Sequence, residues 1–118
     1  MLRILTLGIG LLCAGATCAA EQLFELTIVK GSVPASQRVI RVDKGANVKL
    51  RVSSDSAGSL HLHAYKLEVP FTPGGLVEVA FTAHATGRFR FEWHADDPRA
   101  KPGDHHGPPL ATLEVRPK

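Results

Sequence analysis

The stretch GRFRFEWH, residues 87–94, is the part of this chain whose reading decides the fold. Phe89, Phe91 and Trp93 share one parity; Arg88, Arg90 and Glu92 share the other. A β-strand sends successive side chains to opposite faces, so the pattern predicts a strand with an aromatic side toward a core and a charged side toward water. An α-helix would scatter the same residues around its axis. Gly87 precedes the run, and a long loop from His94 to Pro109 follows it.

Similar patterns extend in both directions. Phe24, Leu26 and Ile28 alternate with Glu25 and Thr27, and Val48-Lys49-Leu50-Arg51-Val52 alternates strictly. QRVIRV (37–42) is rich in strand formers and is followed by the turn-like DKG (43–45). SSDSAGS (53–59) supplies turn formers, Leu60–Val69 predicts one further strand, and TPGG (72–75) predicts a turn. Val77, Val79 and Phe81 mark another strand, and Leu110–Val115 closes the series. About seven short strands, with turn signals every 8 to 12 residues, indicate a β-sandwich or a small barrel. Val48, Leu50 and Val52 join the aromatic parity set as expected core. There is no convincing helix and no internal repeat, and the one biased segment is the Pro/Gly/His loop.

The first twenty residues, MLRILTLGIGLLCAGATCAA, carry one cation (Arg3), an apolar run and a small-residue tail. That order predicts a secretory signal peptide over 1–20, cleaved after Ala20, and one domain over 21–118. The apolar run is shorter than the roughly 20 residues a membrane span needs, so no span is expected in the mature form. A lipoprotein would need Cys18 acylated, and Gly15-Ala16-Thr17 lacks the usual Leu. The expected location is the periplasm or the exterior. Both cysteines, Cys13 and Cys18, and the single methionine, Met1, fall in this leader. The domain therefore has neither a thiolate nor a thioether ligand. Without Arg3 its formal charge is +2, with the cations dispersed, which argues against nucleic acid as a partner.

Six histidines remain. His84, in TAHATG, reads as an ordinary surface residue. His61 and His63, in LHLHAY (60–65), lie two apart on one strand and so point to one face, with Cβ atoms about 6–7 Å apart. His94 ends the aromatic strand, and His105 and His106 lie near the far end of the long loop. Strand ends and loops of an antiparallel sandwich gather at one pole. The expectation is a metal site at that pole, built from His61, His63, His94 and one of His105 or His106. Asp96, Asp97 and Asp104 could supply oxygen ligands or outer-sphere partners. Imidazoles without sulfur suit Cu(II), Zn, Ni or Fe; copper leads on affinity, and zinc or iron stays open.

GANVKLRVSSD (45–55), HLHAYKLEV (61–69), PGG (73–75), TGRFRFEWH (86–94) and LATLEVRP (110–117) together resemble cupredoxins. The likeness is greatest to a secreted subgroup with an HxHGYD-type strand, similar to the cupredoxin domain of some periplasmic iron-uptake proteins. The resemblance covers the whole of 21–118. It implies a Greek-key β-sandwich and copper held at one pole. It places His61 near the family's first histidine ligand, and His105 or His106 near its last. The family's ligating Cys falls at Trp93, and no Met follows, so a His2Cys blue-copper centre is ruled out.

The function expected from these readings is histidine-based metal binding, copper foremost, in metal handling rather than blue-copper electron transfer. The alternative is a metal-free module that docks a protein partner in the periplasm. A chain this small offers no obvious cleft, so no enzymatic role is expected.

Overall fold

A computed structural model describes residues 21–97 and 108–118. Eight strands follow one another: β1 (Gln22–Ile28), β2 (Val39–Asp43), β3 (Asn47–Ser54), β4 (Gly58–Leu62), β5 (Leu67–Phe71), β6 (Leu76–Thr82), β7 (Gly87–Ala95) and β8 (Ala111–Arg116). Single 3-10 turns occupy Ala35–Gln37 and His63–Tyr65.

The strands form two sheets, ordered β1-β3-β6 and β2-β8-β7-β4-β5. β1 runs parallel to β3, with Leu26 opposite Val52, and β2 runs parallel to β8, with Ile40 opposite Leu113. The other pairs are antiparallel. Neighbours in space are distant in sequence, as in a Greek-key sandwich.

The core is the sum of the inward parities. Leu26 and Ile28, Val48, Leu50 and Val52, Leu60 and Leu62, Phe91, and Leu113 and Val115 are all buried. Phe91 is fully buried at the centre of β7, while Phe89 and Trp93 are partly buried against the same core. The expected register of the aromatic strand holds. Arg88 and Arg90 face water on the other side, and Arg88 and Arg41 both reach Glu114, at 3.4 Å and 3.5 Å.

One expected strand divides. Leu60–Val69 does not continue through His63: the chain turns at His63–Tyr65, Lys66 takes a left-handed φ of 55°, and β5 returns along β4. The Tyr65 ring packs on Phe81 and Phe89, and its hydroxyl donates to the Ala85 carbonyl at 3.0 Å. Partly burying that phenol with a partner for its O–H favours the turn over a continued strand.

Candidate metal centre

β4 and β7 are adjacent and antiparallel, with Ser59 opposite His94 and His61 opposite Glu92. Since Leu60, Leu62, Phe91 and Trp93 point inward, Ser59, His61, Glu92 and His94 share the outer face of the larger sheet. His63, the first residue of the turn after β4, swings back over that face. The His61 ring lies 4.3 Å from that of His94 and 5.3 Å from that of His63, centroid to centroid. One ring nitrogen from each of the three falls within 4.8 Å of the others.

Carboxylates and a hydroxyl surround the triad. Glu92 Oε2 is 3.1 Å from His63 Nε2 and 3.6 Å from His94 Nε2. Glu68, opposite His61 on β5, comes within 3.8 Å of its Nε2, and Ser59 Oγ sits 2.8 Å from the same nitrogen. Partial burial is the main reason the His61 pKa lies below the ordinary histidine value. The neighbouring His94 adds to the lowering, and Glu68 opposes it. A lowered pKa keeps the imidazole neutral, the form that coordinates a metal.

Trp93 fixes the strand from behind. Its indole lies over Gly58 and against Gly31, a residue of positive φ in the tight turn closed by Val29 and Ser32. A Cβ on Gly58 would come within 2.5 Å of Trp93 Cζ2 and 2.6 Å of the His94 carbonyl. Gly58→Ala should therefore push β7 off β4 just where His94 joins the triad. The expected cost is about 1–3 kcal/mol of stability, as for overpacked cores. Metal affinity should fall as well; denaturant unfolding and metal titration of the variant check both.

Of the five histidines expected at the site, the structure brings together His61, His63 and His94. His105, His106 and Asp104 lie outside the described residues, as does the expected leader. Asp96 and Asp97 are not in the triad's grouping. The triad also sits on the outer sheet face rather than at the pole, because outward parity on β4 and β7 sets where His61 and His94 point. His84 rests edge-on against Tyr65, with Nδ1 3.2 Å from the Thr82 carbonyl, an ordinary surface arrangement. Sequence reasoning missed Glu92, Glu68 and Ser59. Glu92 had a readable signal, since it shares the parity of His94.

The comparisons with known proteins bear on the fold. No protein family matches the chain by sequence, and no curated protein does. Among solved structures, a multi-copper oxidase from Pseudomonas Thermotolerans matches at TM-score 0.62 and 19% identity, covering 85% of this chain and 30% of that one. A blue copper oxidase from Nitrosomonas europaea matches at TM-score 0.61 and 18% identity, covering 84% and 40%. A copper nitrite reductase from the same organism matches at TM-score 0.57 and 20% identity, covering 82% and 42%. The chain thus spans less than half the length of these proteins. At such identities the likeness shows the fold, and the fold is cupredoxin-like.

The expectation of no enzymatic role is corrected here, because the matching structures are oxidases and a reductase. The size argument behind it fails because a fold of this size matches only 30–42% of those chains, so smallness alone says nothing against a part in an enzyme. A cavity of about 460 Å³ also adjoins Glu92 and His94, where no cleft was foreseen.

Proposed function

We propose that this cupredoxin-like domain binds a metal ion, copper in the first place, through His61, His63 and His94, and serves in metal handling. The observation that supports this is the convergence of three imidazole nitrogens from two strands and a turn within 4.8 Å. A thiolate–thioether blue-copper centre does not fit these residues, since residues 21–118 contain no Cys and no Met. A nitrogen-and-oxygen donor set does fit these residues, and it suits Cu(II). When bound, the ion would supply a Lewis-acidic centre held by neutral imidazoles.

The protein's own groups do the rest. Burial, and then the neighbouring His94, lower the His61 pKa, Ser59 and Glu68 orient its ring, and Glu92 spans His63 and His94. Glu92 is placed either to give a fourth, oxygen donor or to orient both rings from the outer sphere.

Titration of the metal-free protein with Cu(II) should give one equivalent with a pale, tetragonal spectrum and no intense thiolate charge-transfer band. Glu92→Gln should weaken that binding by about 10- to 100-fold, the range found for outer-sphere partners. Equal and weak binding of Cu(II) and Zn(II) by the wild type and by a triad variant would leave the metal-free docking module in its place.

A further inference from the structure

The three imidazoles of the triad are not held alike. His61 lies within β4, between β5 and β7, opposite Glu68 on one side and Glu92 on the other. His94 lies within β7, opposite Ser59. His63 falls outside both ladders, since the pairing of β4 with β7 ends at His61 and its pairing with β5 ends at Leu62. Exposure follows the same division. The His61 side chain is 16% exposed and that of His94 30%, against 68% for His63. The His61 and His94 rings are also the closer pair, at 4.3 Å, with the His63 ring 5.3 Å from that of His61.

The turn that carries His63 is anchored, because the Lys66 N–H donates to the His63 carbonyl at 3.0 Å and the Tyr65 hydroxyl to the Ala85 carbonyl. Movement is left to the His63 side chain, and exposed side chains change rotamer in picoseconds to nanoseconds. We propose that metal enters and leaves the triad through His63: a nitrogen donor of an acceptor takes the His63 position on the ion while His61 and His94 still hold it. The proposal rests on the metal reading and adds the route and the kind of partner, a metal acceptor that presents an exposed imidazole or similar nitrogen to this sheet face. In the exchange the incoming nitrogen bonds to the ion, the His63–metal bond breaks, and its electron pair stays on the imidazole. The freed nitrogen takes a proton from solvent and donates it to Glu92 Oε2, which lies 3.1 Å away, so no polar group is stranded. The ion keeps its charge and no electron moves. Exchange at His61 is obstructed, since that ring is largely covered and braced by Ser59 at 2.8 Å and Glu68 at 3.8 Å.

The test takes wild type, His63→Ala and His61→Ala, each in excess over Cu(II). Free imidazole is added, and electron paramagnetic resonance counts the nitrogens on the ion. The chromogenic chelator pyridylazoresorcinol then serves as acceptor, and its colour follows the transfer. Imidazole should restore the lost nitrogen in His63→Ala and leave it unrestored in His61→Ala. Transfer from wild type should speed up in proportion to chelator concentration. His63→Ala should transfer about tenfold or more faster, because even outer-sphere partners shift affinity by that factor and affinity differences reside mainly in off-rates. A wild-type rate independent of chelator concentration, no restoration in His63→Ala, equal restoration in both variants, or no faster transfer from His63→Ala would each overturn the route. All four need a loaded protein, so the metal reading would survive them. Wild type that takes up no Cu(II) would fail at the loading step, sinking the metal reading and the proposal with it.

Discussion

Replacing both His61 and His63 with Ala is expected to abolish tight Cu(II) binding, a loss of about two orders of magnitude or more. Outer-sphere groups alone are worth about 10- to 100-fold, and two of three direct nitrogen donors should count for at least that. His84→Ala should leave affinity nearly intact, because that ring is occupied with Tyr65 and the Thr82 carbonyl. Titration calorimetry on the three proteins decides it, and an unchanged double variant would refute the triad.

The same experiment has a pH dependence of known sign. Protons compete for the ligating nitrogens, so affinity should fall as pH drops through the histidine range, near 6.5 for an unperturbed group. The burial-lowered pKa of His61 means this ring resists protonation to a lower pH than an unperturbed imidazole would. Without metal, the lowering acts on folding. Between pH 6.5 and the lowered folded value the unfolded chain binds the His61 proton and the folded chain does not. His61 thus costs the metal-free domain stability as pH falls through that window and costs nothing above it. A folded domain that gained stability on acidification through the window would contradict the assigned burial.

Phe91→Ala is expected to destabilise the fold by about 3–5 kcal/mol, the usual cost of deleting a buried aromatic ring. Phe91 has no exposed surface, packs between the two sheets, and sits where β7 pairs with β8, opposite Ala111. Since small domains hold only about 5–15 kcal/mol in total, the variant should be near the edge of folding. Phe89→Ala, at a partly buried position on the same face, should cost less. The denaturant midpoints of the two variants give the comparison, and equal losses would mean that burial does not set the cost on this strand.

What was legible in the sequence depended on how local the signal was. The inward parity of Phe89, Phe91 and Trp93 is a property of seven consecutive residues, and it held. The partnership of Glu92 with His63 and His94 was not legible, because it requires β4 and β7 to be neighbours with His61 opposite Glu92. That choice of partner is made by packing between His63 and Glu92, 29 positions apart in the chain. The break in the expected strand Leu60–Val69 at Tyr65 was hidden for a related reason. Its parity matches His61 and His63, but a phenol can trade a strand position for a partly buried seat and a hydrogen bond to the Ala85 carbonyl. Lys66 gives no hint of its left-handed backbone, since lysine is not a residue that favours it. The site's place on the sheet face could have been inferred. If Trp93 points into the core, His94 next to it must point out.

The two sheets are interleaved along the chain. β1, β3 and β6 make one, and the strands between and after them make the other. The last strand, β8, is not an edge but lies between β2 and β7, and its parallel partner begins at Val39, opposite Thr112. Closing so long a loop costs entropy before any contact repays it, and topologies dominated by distant pairings fold in milliseconds to seconds. No stretch that stops short of residue 111 contains the strand that joins β2 to β7. A partial chain would therefore leave two strand edges bare, each able to pair with another copy. Solubility during synthesis is thus governed by how soon the final strand arrives.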